Sequence, residues 1–347
     1  MIVILPRTII ILFLVLFTQF ISLAVNGIFD LIPIFRIASW LVFIFLMVEI
    51  YKLSMRSQSN IFLLFLKYQI WYVILAVFFS YLISSSSVVD GDWPNIRLGG
   101  DVFHPNRLAI IFSMIIIFSF FNTRGAIRPL LFVIGLMGLF ATGSRTGLIA
   151  TIIAFLAVYL FNKPKLLFVV LIVLVFPFFL IFTQTNFVEI FLFRGLGPED
   201  FFSASGRLAI WLSSLDLWIQ NPIFGCGYIT CTKEELPSMV SDSLGFEFEA
   251  ATHAHNDILQ QLASTGLVGT MPLLFFYANL IKNIFDYSKL SINKMSHRNL
   301  LICLSAMLLI MSLGEQSLSS TLGISGSILV CLSLIFDFEK STRLYKR

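Results

Sequence analysis

Charged side chains are scarce in this sequence. Asp, Glu, Lys and Arg make up 12% of its 347 residues, about half the share in a soluble domain. A water-soluble fold is excluded, because 58% hydrophobic residues is more apolar surface than such a core can hide. Histidine and cysteine are rarer still, four of each. The cysteines show no CxxC spacing, so no zinc motif of that type is present. Cys226 and Cys231 share one polar segment, where they form either a disulfide or two free thiols; Cys303 and Cys331 fall in apolar runs. There is no internal repeat, low-complexity tract, soluble domain or α/β nucleotide-binding pattern.

What the chain has in abundance is long apolar blocks, such as TIIILFLVLFTQFISLAV (8–25) and LLFVVLIVLVFPFFLIF (166–182). A membrane helix needs about 20 mostly apolar residues. The blocks predict ten spans: 8–25, 32–50, 61–84, 108–121, 130–143, 146–161, 166–183, 258–281, 299–313 and 320–336. The fold class is therefore all-α, a polytopic integral membrane protein with one membrane domain over 1–347. The SLA at 22–24 loosely resembles a signal-peptide cleavage site, but the apolar run before it exceeds the roughly 7–15 residues of a signal sequence. A retained first helix is expected.

Lys and Arg set the orientation. With both termini cytoplasmic, fifteen of the 23 Lys and Arg residues fall in inner segments. They begin with Arg7 and include Lys282 and the basic C-terminus. Only seven, among them Arg97, Arg107, Arg145 and Arg207, fall outside. The net charge of +4 thus reflects topology, and no nucleic-acid partner is expected.

Two outer segments stand out, a short loop over 85–107 and a large one over 184–257. Long connections without structure of their own are usually functional or disordered, and the second is too rich in Phe, Leu and Trp for disorder. Within it, residues 206–228 predict an amphipathic helix ended by Asn221-Pro222. Arg207, Trp211, Ser214 and Trp218 line one face, and Leu208, Leu212, Leu215 and Ile219 an adjacent one. Such a helix suits the membrane interface, with Trp at headgroup depth and Arg207 either snorkelling or functional. The turn TGSRTG (142–147) puts Arg145 near the outer face, as a snorkelling end-cap or as an anion site whose planar fork meets phosphate oxygens. Asp90-Gly91-Asp92 reads as a solvated turn. Gly225 and Gly227 form a lone GxG, too weak a signal for a nucleotide loop.

The segment HAHNDILQQ (253–261) admits three readings. Asn256 or Asp257, with Gln260, predicts a capping box at the start of an apolar helix. His253 and His255 offer two zinc ligands, with Glu247 and Glu249 nearby to complete a set. Alternatively, a histidine at the outer mouth of a helix serves as a general base.

His255-Asn256, nine residues, then GLVGT (266–270) resembles the signature of the bacterial O-antigen ligases and related polysaccharide polymerases. Three further pieces agree in order: GGDVFHPNRLA (99–109), GSRTG (143–147) and GRLAIWLSSLDLWIQNPIFGCG (206–227). The resemblance covers 99–270. It implies transfer of a glycan from undecaprenyl diphosphate to an acceptor sugar hydroxyl, outside the bacterial cytoplasmic membrane. The acceptor would be lipid A–core for a ligase or another repeat unit for a polymerase. His255 would be the base, Arg145 and Arg207 the diphosphate-binding cations, and His253 and Asn256 supporting groups. Trp211 and Trp218 would offer faces to a lipid tail or sugar ring, and Asn106 and Arg107 would flank the glycan path. Two arginines in place of a metal imply an inverting, metal-independent transfer with no cofactor. The rival classes are a polysaccharide transporter and a structural scaffold. A transporter often shows two related halves with broken helices, and a scaffold would leave the outer Arg and His residues unexplained.

Overall fold

The computed structural model describes residues 5–57, 59–83, 89–90, 97–99, 104–162, 207–244, 253–288, 295–315, 317–319 and 323–344. These hold eleven helices: α1 Arg7–Val25, α2 Leu31–Ser57, α3 Ile61–Ile83, α4 Pro105–Asn122, α5 Ile127–Ala141, α6 Arg145–Asn162, α7 Arg207–Gln220, α8 Thr230–Leu244, α9 Asp257–Ser288, α10 Met295–Ser312 and α11 Ile324–Leu344. A two-stranded antiparallel ladder, β1 Val89–Asp90 on β2 Arg97–Leu98, is the single addition to the all-helical picture among these residues.

Helices α1, α2, α3, α4 and α9 are long and apolar enough to cross a membrane. Three shorter apolar helices cover the expected spans at 130–143, 146–161 and 299–313. Of the expected span at 320–336, the part from residue 324 onward lies in α11, whose later turns carry Asp337, Glu339 and Lys340. The span at 166–183 lies outside the described residues, as do Gly91 and Asp92. Phe17, Phe29, Phe45, Tyr68 and Tyr72 are all more than half exposed. So much apolar side chain at the surface fits contact with lipid tails.

The chain divides into two compact units. In the first (1–68, 206–286 and 312–347), α1 packs on α2 and α11, and α2 packs on α11. Helix α1 buries Ile9, Leu12, Val15, Leu16, Gln19 and Leu23 at helical spacing. It ends in a Schellman turn: Ile28 N–H donates to Leu23 O at 2.9 Å and Gly27 N–H to Ala24 O at 3.3 Å, with Gly27 at φ 66°. Helices α7 and α8 pack together, joined to α9 by a cluster of Ile210, Leu217, Cys226, Leu236, Val240 and Ala263. Tyr228 and Ile229 seat between Leu23 and Ile37. Burial pushes the Tyr228 phenol above its ordinary range; Arg36 opposes this and Asp257 adds to it.

In the second unit (69–205 and 287–311), α4 packs on α5 and α6. Ala109, Ile116 and Leu139 form its core, with Phe112, Phe132 and Phe155 against them. Gly138 has a steric purpose, since a Cβ there would come within 2.3 Å of the Phe112 ring.

The feature that organises the first unit is a break in α9. At Gly266 the backbone turns to φ 62°, ψ −161°, a region essentially reserved for glycine. The break deprives Ala263 and Ser264 carbonyls of their helical donors, and Leu267 and Val268 amides of their acceptors. The loop after α7 supplies both. Cys226 and Gly227 N–H donate to Ala263 and Ser264 O at 3.0 and 3.1 Å. Leu267 and Val268 N–H donate to Pro222 and Ile223 O at 3.0 and 3.1 Å. All four orphaned groups are satisfied by a segment inserted into the helix. Contact is backbone to backbone: a Cβ on Gly225 would lie 2.4 Å from Ser264 C, and one on Gly266 would lie 2.4 Å from Ile223 O.

Replacing Gly225 or Gly266 by Ala should therefore destabilise the first unit by more than the roughly 1–3 kcal/mol of backbone strain alone. Thermal unfolding of the detergent-purified variants measures this; unchanged melting would show that the insertion bears no load.

Candidate functional site

Helix α7 begins at Arg207. Ile210, Ser213, Ser214 and Leu217 form its buried face, whereas Leu208, Leu212 and Ile219 are exposed. The leucine stripe is thus not the face that meets protein. Trp211 Nε1–H donates to Ala254 O at 3.0 Å, and Trp218 Nε1–H to Pro222 O at 3.1 Å. Both indoles serve as backbone anchors: one ties the histidine segment to α7, the other closes the turn that enters the α9 break.

The start of α9 uses the polar residues differently from the expected capping box. Asn256 is the cap, its Oδ1 accepting from Ile258 and Leu259 N–H at 3.0 Å each. Gln260 does not reach back to Asp257. Its Oε1 accepts from Ala254 N–H at 2.9 Å, and its Nε2 donates to Thr232 and Ser264 hydroxyls at 2.8 and 2.9 Å. Ala254 is therefore held through both its N–H and its carbonyl.

Asp257 is fully buried and turns to the segment after α10. Its carboxylate accepts from the N–H groups of Ser317, Leu318 and Ser319, each at 2.9 Å. The hydroxyls of Tyr277 and Ser319 donate to it as well. Asn256 Nδ2 donates to Leu313 O at 3.0 Å. These bonds bracket Glu315 on both sides.

Glu315 is the residue that sequence reading missed. Its Oε1 accepts from Arg207 Nη2 at 3.1 Å and its Oε2 lies 3.3 Å from His255 Nδ1. One carboxylate, 12% exposed, thus joins the expected base to one expected phosphate-binding arginine. Nothing near Glu315 in sequence signals this, since it lies sixty residues after His255. His255 itself adopts φ 46°, unusual for a residue with a Cβ. The His253 ring stands edge-on to it, centroids 6.4 Å apart. If Glu315 accepts from Nδ1–H, the neutral tautomer leaves Nε2 as the proton acceptor.

Arg145 stands in the second unit, as the first residue of α6. The turn before it is built as a short connection, with Gly143 at φ 59°. Ser144 Oγ accepts from Gly147 N–H at 3.3 Å. Arg97 lies across this turn, its Nε donating to Thr142 O at 2.8 Å and its Nη2 to Asn106 Oδ1 at 3.1 Å. Asn106, expected to flank the glycan path, is buried and accepts from Arg97. Arg107 is exposed.

Among the described residues, no three His, Cys, Asp or Glu side chains could hold one metal ion; Glu247 and Glu249 of the zinc reading lie outside them. Cys226 is disulfide-bonded, whereas the buried Cys303 and Cys331 are in no disulfide.

No curated protein matches the chain. A family model described as O-antigen ligase matches residues 130–274, a stretch holding Arg145, Arg207, His255 and the α9 break. That match makes this stretch, and the motifs within it, similar to the O-antigen ligase-like superfamily.

Proposed function

We propose that the protein is a membrane glycosyltransferase that moves a glycan from undecaprenyl diphosphate to a sugar hydroxyl of lipid A–core, on the outer side of the bacterial cytoplasmic membrane. The observation that carries this reading is the Arg207–Glu315–His255 cluster, two of whose three members lie in the matched segment. Both termini would be cytoplasmic, by the distribution of Lys and Arg.

In this reading His255 takes the proton of the acceptor hydroxyl. The acceptor oxygen forms a bond to the anomeric carbon. The bond from that carbon to the diphosphate oxygen breaks, and undecaprenyl diphosphate leaves with the electron pair. A single displacement inverts the anomeric centre. Glu315 holds the His255 tautomer and stabilises the imidazolium that results. Arg207 meets the charge that develops on the leaving diphosphate, where preplaced cations lower the barrier most, and the motif resemblance gives Arg145 the same part. They do this work in place of a metal. A diphosphate arriving at Arg207 competes with Glu315 for the guanidinium and turns the carboxylate toward His255.

His255→Ala should lower transfer from a lipid-linked glycan by about 10²–10⁴-fold, the usual contribution of a general base; near-full turnover would remove His255 from the chemistry. Arg207→Lys and Arg145→Lys keep the charge and lose the planar fork, so each should slow turnover clearly in the same assay. Unchanged rates would count against diphosphate binding. The acceptor is read from surface polysaccharide on gels of a deletion strain. Bare core with accumulated lipid-linked polymer is expected, whereas core bearing a single repeat would make the enzyme a polymerase.

A further inference from the structure

The first unit contains a second concave feature that shares no residue with Arg207, Glu315 and His255. It is a cavity of about 310 Å³ between α1 and α9. Arg7, Ile11 and Leu14 line it from α1, and Pro272, Phe275 and Lys282 from α9. The spacing on each helix is that of one face. The two helices contribute in opposite order: the start of α1 and the far part of α9 bring the cations, while Leu14 and Pro272 bring apolar surface. At 1.5 Å rise per residue, the groove runs about 10–15 Å along the helices. One end is therefore cationic and the other apolar.

The groove is open to the surroundings, because Leu14 is 48% and Phe275 63% exposed, and Arg7 and Lys282 are exposed too. Neither cation has a side-chain ion pair or hydrogen bond among the described residues. This contrasts with Arg97 and Arg207, each of which is engaged with protein. Two unpaired cations at the end of a greasy groove need an anion that carries its own apolar tail.

We infer that this groove binds an anionic glycerophospholipid, with its phosphate between Arg7 and Lys282 and an acyl chain along Ile11, Leu14, Pro272 and Phe275. Charge complementarity selects the class. A phosphatidylglycerol headgroup brings a single phosphodiester charge and neutral hydroxyls. A phosphatidylcholine headgroup brings its own quaternary ammonium against the same cations. The length of the groove suits a headgroup and the upper part of one chain. Positive-inside charge places both residues on the cytoplasmic side, which makes the inner leaflet the source.

The test uses the full chain purified in neutral detergent, with phosphatidylglycerol, phosphatidylcholine or inorganic phosphate added. Melting temperature and lipid retention by native mass spectrometry are the readouts. Phosphatidylglycerol should be retained and should raise the melting temperature by a few degrees, because a ligand of the folded state stabilises it. Phosphatidylcholine and phosphate should do neither. The double variant Arg7→Gln, Lys282→Gln should lose the shift while melting normally without lipid. Ala278 also lines the groove, so Ala278→Trp, which fills it and keeps both charges, should lose the shift as well and decides the matter if the double variant does not fold. Equal stabilisation by phosphatidylcholine, a full shift with phosphate alone, or retention of the shift in Ala278→Trp would each overturn the assignment.

Discussion

The first unit depends on a backbone exchange. Helix α9 gives up two internal hydrogen bonds at Gly266, and the segment Pro222–Gly227 restores both sides of the gap with four of its own. In a membrane protein such a gap could not be left open, because an unsatisfied amide or carbonyl away from water costs several kcal/mol. The exchange also fixes position. The loop after α7 can enter only where the carbonyls of Ala263 and Ser264 and the amides of Leu267 and Val268 face it. That sets α7 against the start of α9, which brings Arg207 to the level of His255. Ser22 and Asn26 at the end of α1 join the same junction, through Ser22 Oγ to Ser264 O at 2.8 Å and Asn26 Nδ2 to Gly225 O at 3.1 Å.

This exchange explains a motif that sequence reading could describe but not interpret. Gly225 and Gly227 read from the sequence as a lone GxG, too weak a signal for a nucleotide loop. Their purpose is steric: a Cβ on either would strike Ser264 or Ile28. Asn221-Pro222 does end a helix, as expected, but the Pro222 carbonyl has a further task, accepting from both Leu267 N–H and the Trp218 indole. Gly266, which the sequence shows only as the first residue of GLVGT, supplies a conformation closed to other residues. The resemblance to a family signature was enough to group these residues. It did not show what they do, because their partners are backbone atoms of a different segment.

The candidate site was legible in the same uneven way. Apolar blocks marked the spans directly, since a bilayer demands long uninterrupted runs. His255, Arg207 and Arg145 stood out because polar side chains near a membrane need a reason. Asp257 did not, because an acidic residue in a first helical turn is ordinary. Its real partners, the amides of 317–319, lie in a polar segment with no periodic signal. Glu315 was hidden for the same reason. Helix α8 was equally invisible: its composition is polar, Pro237 lies inside it, and it is held mainly by packing on α7.

The energetic balance at His255 favours a preorganised site. A side chain held at positive φ costs about 1–3 kcal/mol. Around it, Ala254 is fixed by Gln260 and Trp211, Asn256 caps α9 and holds Leu313, and Asp257 binds three consecutive amides. Each such bond contributes about 0.5–1.5 kcal/mol net, and those to a buried carboxylate more. Together they exceed the strain, so the unusual backbone persists without substrate. Because the bonds to 313 and 317–319 come from the residues just after His255, the His255 imidazole and the Glu315 carboxylate are positioned by one short piece of chain. The pair is therefore the firmly held part of the cluster, and the Arg207–Glu315 link at 3.1 Å joins it to α7.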